Sequence, residues 1–142
     1  MDWAGALICN NDKILMILRD NDPSILNPNS WQLPGGGIEE GETPEEAMKR
    51  ELQEEVCFVP KDIHFLESFK DGKNTAYIYW VFVTDDEIKN FHLGDEGQEI
   101  RFFTVPQLEK IKMASRLKLY LQVFRTQLIE ALKTKTFNNF KE

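Results

Sequence analysis

The chain has 142 residues, 42% of them hydrophobic and 11% aromatic, enough for one compact core and too apolar for a disordered tail. A formal net charge of -7 argues against a primary role in gripping duplex DNA or long RNA, which needs clustered Lys and Arg, but leaves room for a small phosphorylated substrate if metal ions offset the like charge. No apolar run approaches the ~20 residues of a membrane span, and Met1 to Gly5 lacks the basic start of a signal peptide, so the expectation is a cytoplasmic protein of one domain over residues 1–142 with no membrane partner.

In chain order, Ala4 to Cys9 and Lys13 to Arg19 read as paired strands joined by the polar turn Asn10-Asn11-Asp12. Asp20 to Ser30 is dense in turn formers and reads as an exposed loop bordering a substrate site. After Pro34-Gly35-Gly36-Gly37, Thr43 with Glu46 makes a capping box and Pro44 suits the first helical position, so a helix is predicted from Pro44 to Val56. Ile63 to Phe69, the aromatic-rich Ala76 to Val83, and Glu99 to Val105 read as strands. Pro106 opens a short helix to Lys112, and one long amphipathic helix is predicted over Ser115 to Lys133, with Leu117, Leu121, Phe124, Leu128 and Leu132 as a packing stripe. Strands interleaved with helices give an α/β sandwich. Cys9 and Cys57 form neither a disulfide framework nor a paired zinc motif, and both read as packing residues.

The chemistry concentrates on the helix after the glycines. At about 100° per residue, Glu51, Glu54 and Glu55 share one face, while Met48, Leu52 and Val56 occupy the adjoining arc. Like charges so placed repel unless cations are present, and hard oxygen donors in a partly open array suit Mg2+ or Mn2+. Glutamates on a helix are more often a solvated face, and the glycine loop matches neither a P-loop nor a dinucleotide fingerprint. Neither feature decides anything alone.

Together they do. The segment Gly36 to Phe58 resembles the signature of the Nudix hydrolase family, G-x5-E-x7-R-E-U-x-E-E-x-G-U with U a bulky aliphatic residue. Gly36, Glu42, Arg50, Glu51, Leu52, Glu54 and Glu55 match at the required spacing, while Cys57 replaces the last glycine and Phe58 an aliphatic residue. A glycine there permits a left-handed turn that cysteine adopts only at a cost. The resemblance implies a Nudix-like α/β/α sandwich with a mixed sheet between helices. It also implies Glu51, Glu54 and Glu55 as metal ligands, joined by the carbonyl of Gly35 or Gly36, with Arg50 orienting the carboxylates and Glu42 in a structural role.

In several family members a glutamate outside the box supplies a further ligand or the general base. Glu96, in Glu-Gly-Gln, resembles the position used by members that cleave oxidised nucleoside triphosphates, and Glu99 is the second choice. The base is then Glu54 or Glu96, accepting a proton from a water whose pKa bound cations lower. Arg19 at a strand end is placed to meet a phosphate. Trp31 and Phe82 are candidates to stack on a base, although core packing is the commoner fate of such residues. His64 and His92 receive no role.

The leading expectation is hydrolysis of a nucleoside triphosphate, damaged or non-standard, to monophosphate and pyrophosphate. The alternative is a nucleoside diphosphate sugar of ADP-ribose or GDP-mannose type, whose site the Asp20 to Ser30 loop would shape. A decapping role is disfavoured because no basic tract is available for an RNA body. A binding module that has lost its chemistry is also disfavoured, because every box glutamate is present. The family resemblance extends to a homodimer, although no patch in the sequence announces an interface.

Overall fold

The computed structural model describes residues 1–140. The strands are β1 (Trp3–Asn10), β2 (Lys13–Leu18), β3 (Trp31–Gln32), β4 (Gly35–Gly37), β5 (His64–Asp71), β6 (Asn74–Phe82) and β7 (Glu99–Thr104). The helices are α1 (Pro44–Val56), α2 (Asp85–Ile88), α3 (Val105–Leu108), α4 (Ser115–Val123) and α5 (Arg125–Thr134). Among the described residues no helix is long and apolar enough to cross a membrane.

One mixed sheet organises the chain. β1 runs parallel to β6 along its length, from Trp3 opposite Ala76 to Cys9 opposite Phe82, and every other pairing between these seven strands is antiparallel. Buried on both faces, β1 is a near-continuous apolar run. The β1–β2 hairpin closes on Asn11, which takes a left-handed φ of 53°. The hairpin pairs only near its turn, at Cys9 with Ile14 and Asn10 with Lys13. Beyond that point the two strands separate. β4 takes up the free edge of β1 and β3 the edge of β2, so the glycine segment is wedged into the split.

Each face of the sheet carries its own core. On one face α1 buries Ala47, Met48, Leu52 and Val56 against Ala4, Ala6, Ile8, Leu15, Tyr79 and Val81. Each of the larger side chains contributes about 1.5–3 kcal/mol of apolar burial. On the other face the C-terminal helices cover Leu7, Met16, Ile78 and Phe103 with Tyr120, Leu121, Leu128 and Leu132. The result is an α/β/α sandwich.

The capping box forms as expected: the Thr43 N–H donates to Glu46 Oε1 at 2.9 Å and the Glu46 N–H to Thr43 Oγ1 at 3.1 Å. At the other end of α1, Cys57 adopts φ 59°, ψ 20°. The left-handed turn of the family pattern is thus kept without its glycine. Cys9 is buried but Cys57 is exposed, which corrects the reading of both thiols as packing residues: a side chain at this cap points away from the core.

The predicted helix over Ser115 to Lys133 is two helices. Phe124 leaves helical geometry at φ -106°, ψ 24°, and its ring packs between Tyr120 (5.1 Å) and Phe140 (5.6 Å). Neither glycine nor proline marks the break, because its cause is a tertiary aromatic contact. After α5 the chain returns and buries Phe137 and Phe140. A β-bulge between Phe65 and Glu67 places the consecutive residues Leu66 and Glu67 both inside, at 6% and 1% exposure. The Glu67 carboxylate accepts the Tyr120 hydroxyl at 2.6 Å and the Phe140 N–H at 2.9 Å. Burial first, and then the hydrogen bond and charge of the carboxylate it faces, push the Tyr120 pKa upward.

Two stability changes follow. Tyr120→Phe leaves a buried carboxylate short of a donor and is expected to lower the unfolding free energy by about 1.5–3 kcal/mol in urea denaturation. Cys57→Gly removes the side chain from a left-handed position and is expected to raise it by about 1 kcal/mol in the same assay.

Candidate active site at the split of the sheet

The site begins with close approach between β4 and α1. A Cβ on Gly36 would lie 2.4 Å from the carboxyl carbon of Glu51, so a larger residue there would displace the Glu51 carboxylate from its place over the strand. Glu55, one turn on, accepts the Gly35 N–H at 2.7 Å through Oε1. Two of the predicted ligands therefore rest on the glycine strand. Glu54 points outward, with its side chain 59% exposed.

Arg50 fixes this arrangement. Its Nε donates to Glu42 Oε2 at 2.7 Å and Nη2 to Glu42 Oε1 at 3.0 Å, a two-pronged pairing. Nη2 also reaches the Gly37 carbonyl at 3.0 Å, and Nη1 reaches Glu51 Oε1 at 2.9 Å. The contact with Glu54, 3.4 Å, is the longest of these hydrogen bonds. Arg50 is thus a clamp between the loop and the helix rather than an ordinary surface i,i+4 pair. Its hydrogen bonds hold Glu42 down at about 2, with the Glu39 N–H assisting.

The opposite shift marks the other carboxylates. Burial, then the charges of Glu51 and Glu96, push Glu55 up to about 8 against the Gly35 hydrogen bond and Arg19. Burial also raises Glu51, with Glu54 and Glu96 adding to it and Arg50 opposing. Glu96 lies outside the box in sequence, yet its charge is felt at both sites. Among the described residues, no three His, Cys, Asp or Glu side chains converge on one point as a closed cation site. The donors are nonetheless all hard oxygens, and their mutual repulsion is what a divalent cation relieves. By chemistry Glu51, Glu54 and Glu55 fit Mg2+ or Mn2+, with exposed Glu54 held, among the described residues, only by its long contact to Arg50.

Beside them lies a cavity of about 250 Å³ lined by Arg19, Asp20, Asp22, Gln32, Glu55, Glu96 and their neighbours. Arg19 Nη1 donates to Gln32 Oε1 at 3.3 Å, while its buried Nε has no hydrogen-bond partner among the described residues. An orphaned charged donor costs about 1–3 kcal/mol, which an incoming anion would recover. A second cavity of about 320 Å³ lies between sheet and α4, lined by Trp3, Leu33, Ile78, Leu117, Tyr120 and others. Gln32 lines both cavities.

The structure brings Arg19, Glu55 and Glu96 to one cavity but not the two aromatics proposed for stacking. Trp31 packs edge-on against Phe103 at 4.8 Å under Arg101, and Phe82 packs against Trp80 and Phe137. Both serve the core and line neither cavity. Glu99, the second choice for a distal carboxylate, is paired with Arg101. Sequence reasoning placed the Asp20 to Ser30 loop beside the site without singling out Asp20 or Asp22, and it missed Gln32. Their only signal was position beside the glycine strand and inside the turn-rich loop.

Sandwich, glycine strand and clamped glutamates together define a Nudix fold, and the comparisons agree. The NUDIX domain family model matches residues 2–124, and the chain belongs to that family. A relative named RNA pyrophosphohydrolase, from Pseudoalteromonas translucida, is 42% identical over 66 residues, covering 46% of this chain and 36% of its own. The matched segment spans about a third of the length of such relatives. Among solved structures, the NUDIX domain of Shewanella oneidensis NrtR complexed with ADP ribose superposes with a TM-score of 0.72 at 18% identity, covering 90% of this chain and 88% of that one. A bifunctional NMN adenylyltransferase/ADP ribose pyrophosphatase from Francisella tularensis, complexed with AMP and a Mn ion, gives 0.68 at 19% identity, covering 89% of this chain and 41% of that one. These likenesses show the fold.

The raised pKa of Glu55 fixes a pH dependence. Between its ordinary value of 4.5 and about 8 the metal-free native state binds a proton that the unfolded chain has released. This contribution to stability is full below 4.5 and lost as pH rises through about 8. Glu42 shifts the other way but titrates below this window. In EDTA, the thermal midpoint is expected to carry a component that falls from about pH 5 to about pH 8.5. Glu55→Gln should remove it, and added Mg2+ should reduce it.

Proposed function

We propose that the chain is a divalent-metal-dependent pyrophosphohydrolase that cleaves a nucleoside triphosphate, standard or oxidised, to monophosphate and pyrophosphate. The observation that carries this reading is a polar cavity, bearing Arg19, Glu55 and Glu96, that shares Gln32 as a wall with a larger, mainly apolar one. A nucleoside triphosphate has the same two halves: a base suited to apolar walls and an anionic chain suited to carboxylate-held cations and an unsatisfied Arg. The relatives named RNA pyrophosphohydrolase support the bond type. They also reopen the 5′-triphosphate of an RNA, which the shortage of basic residues had disfavoured.

In this reading Arg19 directs its free donor at a phosphate oxygen, and Arg50 holds Glu51 over Gly36. Glu51, Glu54 and Glu55, with a carbonyl of Gly35 or Gly36, would hold Mg2+ or Mn2+. The cations supply charge neutralisation on the diphosphate oxygens and a lowered pKa for the attacking water. Glu96 is the preferred general base over Glu54, because it lines the cavity while Glu54 is engaged by Arg50. Glu96 accepts the water proton, the water oxygen attacks one phosphorus, and the bridging P–O bond breaks so that pyrophosphate departs. No covalent enzyme intermediate is needed. Asp20 and Asp22 in the polar wall favour a second reading: their acceptors suit the hydroxyls of a nucleoside diphosphate sugar.

A substrate panel tests both. Nucleoside triphosphates, oxidised analogues, ADP-ribose, GDP-mannose and a 5′-triphosphorylated RNA are assayed for phosphate or pyrophosphate release with Mg2+, Mn2+ or EDTA. The expected result is metal-dependent pyrophosphate release from a triphosphate, with kcat lowered about 10²–10⁴-fold by Glu96→Gln. Turnover of the sugar compounds alone would transfer the assignment to the second reading. Binding of ADP-ribose without any turnover would make the chain a binding module.

A further inference from the structure

The segment from His92 to Gln98 is tied at both ends. At one end the His92 N–H donates to the Val56 carbonyl at 3.0 Å and the Gly94 N–H to the Glu55 carbonyl at 2.8 Å. It thereby closes the C-terminus of α1, whose own cap is Cys57. The contact is tight: a Cβ on Gly94 would lie 1.9 Å from the Glu54 carbonyl oxygen. At the other end the Gln98 N–H donates to the Leu18 carbonyl at 2.9 Å and the Gly97 N–H to Asp20 Oδ1 at 3.1 Å. The Gln98 side-chain amide then crosses to the turn-rich loop, where Nε2 donates to the Arg19 carbonyl at 2.7 Å and to Asn29 Oδ1 at 3.0 Å. Asp20 and Asn29 are themselves joined, the Asn29 N–H donating to the Asp20 carbonyl at 2.9 Å.

These bonds make the segment a strap running from the helix that carries the metal-binding carboxylates to the loop that walls the polar cavity. Glu96 sits between the two anchorages, and nothing in its own hydrogen bonding among the described residues holds it there. We propose that Gln98, acting with Asp20, is a positioning residue: it sets where Glu96 stands over the polar cavity and holds the Asp20 to Ser30 loop in the same register. Its one amide nitrogen bridges the backbone of Arg19 and the side chain of Asn29, so the phosphate-facing Arg and the proton-accepting Glu are located by a common contact. The inference rests on the assignment of Glu96 as general base. Misplacing such a group by about 1 Å costs up to about 10²-fold in rate without altering what the enzyme binds.

Gln98→Met keeps the length and volume of the side chain and removes only its donor. Two readings are taken. The first is amide hydrogen exchange in the wild-type and variant proteins, independent of any substrate. Exchange is expected to quicken at Asn29, Gly97 and Gln98 but not within α1. Unchanged protection at all three amides overturns the proposal. The second is kcat and KM on the triphosphate selected by the panel, in a double-mutant cycle with Glu96→Gln. Gln98→Met alone is expected to lower kcat about tenfold while KM moves less than about threefold, and to lower it no further when Glu96 is already Gln. An equal loss in both backgrounds means that Gln98 acts independently of Glu96 and overturns the positioning role while leaving Glu96 as base. A parental kcat in Glu96→Gln alone instead removes the base assignment, and the positioning role falls with it.

Discussion

Arg50 is the contact on which the site depends. One guanidinium joins the loop before α1, through Glu42 and the Gly37 carbonyl, to the helix carboxylate Glu51. A lysine in its place carries the same charge but no planar fork, and it cannot grip a carboxylate two-pronged while reaching a carbonyl and a second carboxylate. The clamp also answers an electrostatic problem. Glu51, Glu54 and Glu55 stand together on one helix, and burial and mutual repulsion push the first and last toward protonation. Arg50 engages the cluster from the loop side, which leaves the cavity side open for cations and phosphate.

The backbone supplies the second constraint. Because β1 and β2 stay paired only near their turn, the glycine strand enters between them and passes directly beneath the Glu51 carboxylate of α1. Gln32, on the strand that pairs with β2 beyond the divergence, is a wall of both cavities. The placement of the glycine strand against the carboxylate face of α1 is thus a consequence of one geometric event, a hairpin that parts.

On the far face the buried Glu67 has a different character. A carboxylate at 1% exposure is costly unless its hydrogen bonds are met. Here the Tyr120 hydroxyl and the Phe140 N–H meet them. The pairing ties β5 to α4 and to the returning C-terminal segment, and Tyr120 is also a wall of the apolar cavity. The wall of that cavity therefore depends on contacts far from it in sequence.

How much of this was legible in the sequence follows from the range of the forces involved. Local rules determined the capping box at Thr43 and Glu46, the extent of α1, and the clustering of Glu51, Glu54 and Glu55, because each depends on residues within a turn or two of one another. Strand periodicity determined β1, β2, β5, β6 and β7 to within a residue or two. Tertiary contact decided the rest. The break at Phe124 exists because its ring meets Phe140, the burial of Glu67 because a bulge turns it inward, and the core role of Trp31 because Phe103 lies beneath it. The shared wall at Gln32 and the strap through Gln98 join segments that periodicity treats as unrelated loops. A sequence specifies which side chains share a helix face, but which loops share a cavity is settled only when the sheet closes, since those contacts are made by residues far apart in the chain.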